Sequence, residues 1–221
     1  MTSPVIAALS LGLPRSRGYP GATDPFDEPW TSGIFKSPVD GPVALSVGGF
    51  DGDGQADLVN HGGGDKAVCA YSAGHYDVWR RLLGDATVSY GAFGENLTVE
   101  GLDESTVCIG DVWSVGEVLV QVSQPRQPCW KLARKWRIRR FAEQVVESGR
   151  TGWYFRVQRE GRVTRGDSLT LVDRPHPLWS VAAANAVMHD RVGDVGALVA
   201  LPSLSANWRR TLEKRLDVGT T

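Results

Sequence analysis

Cys129 stands in Gln124-Pro125-Arg126-Gln127-Pro128-Cys129-Trp130-Lys131-Leu132. The run before it, Val118-Leu119-Val120-Gln121-Val122-Ser123, is rich in β-branched residues and reads as a strand. Pro125 and Pro128 then end the ladder, because proline has no backbone N–H to donate. The thiol is thus carried on a stiff turn at a strand end. Arg126 and Lys131 flank it, and nearby cations favour the thiolate, the form that attacks electrophiles and ligates metals. Cys69 and Cys108 lie inside apolar strand-like runs instead and read as packed residues. The plain alternative for Cys129 is a small apolar residue packed under a strand end.

Three other segments carry groups that could do chemistry. His61-Gly62-Gly63-Gly64-Asp65-Lys66 is a glycine-rich loop entering a strand. It lacks the spacings of a P-loop or a dinucleotide fingerprint. Its glycines let the backbone approach a ligand, and histidine and lysine beside them suit an oxyanion; a tight turn with solvated charges is the equal alternative. Phe93-Gly94-Glu95-Asn96-Leu97 places a carboxylate and an amide at a strand entry. Asn96 could meet a heterocycle edge or close its own turn. Asp51-Gly52-Asp53-Gly54-Gln55-Ala56-Asp57 resembles the start of a calcium loop, but position six holds Ala56 and position twelve Gly62, so a polar turn is expected.

The 221 residues, 42% hydrophobic and 22% charged, suit one large soluble domain with a small appendage. Three cysteines without a Cys-x-x-Cys point to a reducing compartment and away from structural zinc. A net charge of −1 gives no global attraction to nucleic acid. Seven of the 24 Lys and Arg fall between Arg126 and Arg140, as a solvated helix face or a patch for an acidic partner. No apolar run is long enough to span a membrane, and Val5–Leu13 lacks the flanks of a signal peptide. A cytoplasmic protein without a membrane or nucleic-acid partner is expected.

These groups must be positioned by a mostly β unit. Strands are expected at 5–13, 43–47, 67–71, 97–99, 106–109, 112–115, 118–123, 153–158 and 163–172. Helices are expected from Ser72 to Leu83, then over 130–136 and 140–148. Arg174-Pro175-His176-Pro177 reads as a linker, and beyond it lie three short helices, 180–189, 195–201 and 205–216. The expected division is 1–173 and 174–221.

His61-Gly62-Gly63-x-Asp65-Lys66-Ala67, Gly94-Glu95-Asn96-Leu97, Gly110-Asp111 and Gln121 through Leu132, in this order, resemble the MOSC domain. The pattern is similar to the bacterial YiiM family, as is the tail with Leu204-Ser205-x-x-Trp208-x-Arg210-Thr211. The resemblance implies a closed, Greek-key-like β-barrel with helical insertions, followed by a three-helix appendage. It also implies a molybdenum cofactor, with Cys129 as the metal ligand; a soft thiolate suits such a metal. Lys36, His61, Lys66 and Arg126 become candidates to hold the anionic cofactor, and Asn96 and Gln124 to read its pterin edge. Family members often carry Arg where this chain has Lys66, a point charge without the bidentate fork. The implied activity is reduction of N-hydroxylated bases or related compounds. The alternative is a sulfur-relay or cofactor-binding module with Cys129 as persulfide carrier. A cysteine hydrolase would need a histidine such as His61 to activate Cys129. The chain shows no flavin, NAD(P), iron–sulfur or haem motif. A reductase of this kind would take electrons from a separate donor, an acidic flavoprotein for example. Lys131, Arg134, Lys135, Arg137, Arg139 and Arg140 would be its docking face.

Overall fold

The computed structural model describes residues 3–59, 61–190 and 192–218. Strands β1 (Val5–Leu11), β2 (Arg15–Arg17), β3 (Trp30–Ser32), β4 (Ser37–Pro38), β5 (Val43–Ser46), β6 (Gly49–Phe50) and β7 (Val68–Ser72) lead to helix α1 (Tyr76–Leu83). Strands β8 (Leu97–Glu100), β9 (Val112–Val115) and β10 (Val118–Pro125) precede helices α2 (Trp130–Trp136) and α3 (Phe141–Glu147). Strands β11 (Trp153–Arg159), β12 (Gly161–Val163) and β13 (Leu169–Asp173) complete the sheets, and α4 (Val181–Asn185), α5 (Val195–Val199) and α6 (Ala206–Val218) form the tail. The result is a mixed α+β fold around an eight-stranded sheet of order β13-β9-β10-β11-β7-β8-β1-β4.

Most neighbours in the sheet are antiparallel, but β7 and β8 run parallel. A parallel pair needs a crossover, and α1 lies on it. Strand β7 is buried along its whole length, as expected of a strand covered on both faces. Its outer cover is an aromatic cluster of Tyr76, Trp79, Phe93 and Phe141, in which Leu132 of α2 also packs.

Two expected strands and one expected loop differ. The 106–109 run is a turn closed on Asp103, whose Oδ1 accepts from the Ser105 and Thr106 amides, and it touches another segment through one Cys108–Ser180 bridge. The 163–172 run breaks into β12 and β13 at the Thr164–Asp167 turn. The expected loop from Pro14 to Ser32 contains the β2–β3 hairpin.

The strand ladder does not form the closed barrel expected from the sequence. It ends at β13 and β4. Strand β1 reaches the far end of the sheet through one Val5–Ser168 bridge and bonds from Ile6 N to Asp167 O (3.0 Å) and Leu169 N to Pro4 O (2.8 Å). The segment facing β1 there is the Thr164–Asp167 turn, whose Gly166 has φ +92°, so it cannot run as a strand beside β1.

The tail packs into the core of the sheet. Val181, Ala184, Leu198, Trp208 and Leu212 are fully buried in one cluster with Val120, Val122 and Phe155. Each large aliphatic side chain so buried stabilises the fold by about 1.5–3 kcal/mol. Backbone bonds join the two parts: Ile109 N to Trp179 O and Val181 N to Val107 O, both 2.8 Å, and Ser205 N to Ser123 O, 2.9 Å.

Candidate functional site

Strand β10 ends where the sequence places the prolines. Pro125 still sits opposite Trp153 of β11, and Arg126 N donates to Gly152 O at 3.0 Å. The chain then turns, and Cys129 becomes the residue that caps α2, with its carbonyl accepting from Leu132 N at 3.0 Å. Its side chain makes no capping bond, so the sulfur is held in place without being consumed. Cys129 is half-buried, while Cys69 and Cys108 are buried.

Cys129 opens onto a cavity that also receives Lys36, His61, Lys66, Asn96 and Arg126. Six of the seven residues singled out in the sequence therefore meet, from segments far apart in the chain. The seventh, Gln124, does not line this cavity. It is 1% exposed, its Nε2 donates to Pro125 O (3.1 Å), and its Oε1 accepts from Ser205 Oγ of the tail (2.7 Å). Through these bonds Gln124 anchors the tail to β10, and it lines a neighbouring space that Cys129 also borders.

Asn96 is also committed. Its Oδ1 accepts from Cys69 N at 3.0 Å and its Nδ2 donates to Asp53 Oδ2 at 2.9 Å. Asp53 Oδ1 accepts from Gly12 N at 2.8 Å and from Lys36 Nζ, in an ion pair. Asn96 thus braces a buried Lys36–Asp53 pair, and Asp53, in the turn that the sequence offers only as polar, is a wall of the cavity.

Arg126 is the buried cation of the site. It is 7% exposed; Nη2 donates to Phe93 O at 2.6 Å, and among the described residues Nη1 has no hydrogen-bond partner. Burial opposes its charge, but the Cys69 and Tyr154 groups beside it outweigh this and its pKa is raised. The Phe93 carbonyl is itself aimed by Glu95. That fully buried carboxylate accepts from Gly91 N (2.9 Å), Phe93 N (3.2 Å), Thr98 Oγ1 (2.9 Å) and Tyr76 OH. Gly94 takes φ +85°, and a Cβ there would lie 2.7 Å from Ile34 Cγ1, so glycine is required. The Gly94-Glu95-Asn96 motif is therefore scaffolding: Glu95 sets Arg126 through Phe93, and Asn96 sets Lys36 through Asp53.

The glycine-rich loop divides its work. Burial lowers the pKa of His61, and the charges of Lys66 and Lys131 lower it further. Burial also lowers that of Lys66, against Asp65 and Asp57. Asp65 turns away from the cavity, pairs with Arg156 at 2.9 Å and accepts from Ala206 N at the start of α6 (3.1 Å). Among the described residues four cations, Lys36, Lys66, Arg126 and Lys131, face this cavity against the single carboxylate of Asp53. A soft sulfur donor beside excess positive charge and an unused buried N–H can ligate a metal and hold an anion. Cys69 and Tyr154 join the wall without having been marked by the sequence for this site, as does Lys131, marked there only as a neighbour of the thiol. Burial raises the Cys69 thiol to about 11.

The basic segment after Cys129 does not present a row of open charges. Arg134 pairs with Glu28 (3.2 Å), Arg137 with Asp24 (2.7 Å) and Asp27 (2.5 Å), and Arg140 with Glu143 (2.5 Å). Lys135 turns inward to the carbonyls of Ile34 (3.2 Å) and Ala92 (2.6 Å).

Among the described residues no helix is long and apolar enough to cross a membrane. Comparison with known proteins places this site in a family. Residues 57–170 match the MOSC domain, and residues 179–219 match the YiiM-like, 3-alpha helix domain. The uncharacterized protein YflK of Bacillus subtilis is 45% identical over 215 residues, covering 96% of this chain and 94% of that protein. A protein of Gibberella moniliformis named a reductase is 40% identical over 164 residues, covering 73% of this chain but 29% of its own length. The crystal structure of YiiM from Geobacillus stearothermophilus superposes with a TM-score of 0.79 at 37% identity, over 96% of this chain and 99% of the other. The MOSC match spans His61, Lys66, Asn96, Gln124, Arg126 and Cys129. With the cysteine turn, the cationic cavity and the three-helix tail all accounted for, the chain belongs to the MOSC-domain proteins of the YiiM-like kind.

Proposed function

We propose that this protein is a molybdenum-cofactor-dependent reductase of N-hydroxylated bases or related N-hydroxylated compounds, with Cys129 as the protein's ligand to the metal. The observation that carries the proposal is the buried guanidinium of Arg126, with Nη1 unpartnered among the described residues, in the cavity onto which Cys129 opens. An unsatisfied buried donor costs about 1–3 kcal/mol, and an anionic ligand oxygen would remove that cost. The residues fit the group. Arg126 and Lys66 would hold its anionic part, the Lys36–Asp53 pair would border it, and Cys129 would contribute one soft donor. Among the described residues no cluster of three or more His, Cys, Asp or Glu could hold a metal, so the remaining metal ligands must come with the cofactor.

When bound, the cofactor supplies the two-electron redox centre. The overall change takes two electrons and two protons to convert R–NH–OH into R–NH2 and water. The chain's own part is to bind, orient and exclude water, and His61, on the cavity wall, is placed to pass a proton. The electrons come from a separate donor protein, proposed to be a flavoprotein. Because the basic segment is largely paired within the chain, docking does not rest on that segment as a whole.

The test is expression in a host that makes the cofactor, followed by molybdenum and pterin analysis and by turnover of an N-hydroxylated purine with a small artificial reductant. Stoichiometric molybdenum and amine product are expected. Folded protein that retains neither metal nor pterin would overturn the proposal. Cyanide-labile sulfur on Cys129 without molybdenum would establish the sulfur-relay alternative in its place.

A further inference from the structure

Cys129 also lines a second cavity. Cys129 belongs to a wall shared by both spaces, together with His61, Lys66, Gln127 and Tyr154. The two spaces differ in character. Among the described residues the first is faced by four cations and one carboxylate. In the second, Lys66 is balanced by Asp57, and the remaining wall is mostly amides and rings: Gln124, Gln127 and Asn207 with His61, Tyr154 and Trp130, beside Pro128. An anion is drawn to the first. A neutral, flat, hydrogen-bonding molecule suits the second.

Trp130 and Asn207 stand at the margin of this second space. Trp130 is 54% exposed, a large aromatic surface that folding leaves open. Arg134 and Lys131 lie over its ring, at 5.1 and 5.8 Å from the centroid, and help to fix it. Asn207 is exposed and comes from the first turn of α6, the last helix of the tail. That turn is pinned to the strand that carries the cysteine loop. Ser205 N donates to Ser123 O (2.9 Å), Ser205 Oγ donates to Gln124 Oε1 (2.7 Å), and the same Oγ accepts from Trp208 N (3.2 Å). The tail thereby brings an amide to the cavity that Cys129 also lines.

We infer that this second cavity is the substrate site, where a planar nitrogen heterocycle stacks on Trp130 and is read along its edge by Asn207 of the three-helix tail. The inference rests on the proposed reductase activity for the identity of the reacting group, but not for the binding of the ring. In it the tail is part of the recognition surface. Trp130 and Asn207 set affinity and specificity, while Cys129 and Arg126 stay with the cofactor. An open margin suits a ligand exchanged at every turnover.

The experiment uses the full-length protein from a cofactor-competent host and the exposed-residue variants Trp130→Ala, Trp130→Phe and Asn207→Ala. Three quantities are read: molybdenum and pterin content, equilibrium binding of adenine as an unreactive planar probe, and KM against kcat for N-hydroxylated adenine with an artificial reductant. Trp130→Ala should weaken adenine binding and raise KM by about 5- to 100-fold, the range of base–aromatic stacking, with cofactor content unchanged. Trp130→Phe should recover most of that loss. Asn207→Ala should raise KM by about 10-fold, the scale of one hydrogen bond to a base edge. Unchanged adenine binding and KM in both alanine variants would overturn the inference. So would loss of molybdenum and pterin in those variants, because the cavity would then belong to the cofactor. If the natural protein turns nothing over, the proposed activity fails, yet adenine binding that depends on Trp130 and Asn207 would still uphold the site.

Discussion

Replacing Arg126 by methionine should separate cofactor retention from folding. In the ligand-free protein Arg126 is 7% exposed, bonds to Phe93 O at 2.6 Å through Nη2 and leaves Nη1 without a partner among the described residues. The bond from a charged donor contributes about 1.5–3 kcal/mol, and the unsatisfied donor costs about 1–3 kcal/mol. The two terms nearly offset each other. Methionine fills similar length with no donor, so the net change should stay within about 2 kcal/mol, with the Phe93 carbonyl as the main loss. For a chain of this size that is a shift in Tm of at most about 8 °C. Retention of an anionic ligand behaves differently, because removing one partner of a buried charge pair costs about 3–5 kcal/mol. That corresponds to a loss of affinity of about 10²- to 10³-fold or more. The assay is urea and thermal unfolding of the ligand-free proteins beside molybdenum and pterin analysis of protein from a competent host. Arg126→Lys should also lose cofactor, since lysine lacks the second nitrogen of the fork. Two results would refute the reasoning: a methionine variant destabilised by more than about 4 kcal/mol, which would make Arg126 a fold residue, or a methionine variant that keeps its cofactor in full.

Other consequences can be measured directly. Cys129→Ser should abolish molybdenum retention with little change in stability, and in the folded ligand-free protein iodoacetamide should label Cys129 alone, since burial holds Cys69 at about 11 and also raises Cys108; mass spectrometry reads the labelled sites. Deleting the chain from Arg174 should leave no cooperative fold by circular dichroism. It strips Val181, Leu198, Trp208 and Leu212 from the shared core, at about 1.5–3 kcal/mol for each large aliphatic side chain, against a typical total of about 5–15 kcal/mol. Trp208→Ala alone should cost about 3–5 kcal/mol in urea unfolding. Burial lowers the pKa of Lys135 to about 8 from an ordinary value of 10.5. The unfolded chain therefore binds more protons between those two values. Stability should rise with pH through that window, by at most about 1.4 kcal/mol per pH unit, and Lys135→Met should remove the rise.

Much of this architecture is legible in the sequence because local signals decide it. The β-branched run before Pro125 becomes β10, and the change to helical spacing after Cys129 becomes α2 and α3. The three tail helices fall close to where their apolar spacing and caps place them. What local spacing does not carry is partnership across the chain. Asp53 looks like a turn residue until Lys36, Gly12 and Asn96 converge on it from three segments. Gln124 looks like a ligand-reading amide until Ser205 arrives from 81 positions away. Arg134 and Arg137 look like part of a docking face because their partners Asp24, Asp27 and Glu28 lie more than a hundred positions upstream. The barrel closure implied by resemblance fails locally, at a glycine turn opposite β1. Cys129 and Arg126 were legible because their chemistry is set by near neighbours: prolines, a strand end and a helix start.

The pairing of β1 has a consequence for how this protein is made. Val5–Leu11 is followed soon by its short partner β4, but its other partners are β8, about ninety residues later, and the 166–169 segment. At about 5–20 residues per second, β1 waits on the order of ten seconds or more for its last neighbour. The tail that covers the sheet follows later still. During that interval an apolar strand has exposed edges, the condition in which chains pair wrongly with one another. Long-range pairing of this kind also makes spontaneous folding slow. Yield in a recombinant host should therefore depend on growth temperature and chaperone supply, even though the finished fold seals β1 between neighbours from both halves of the chain.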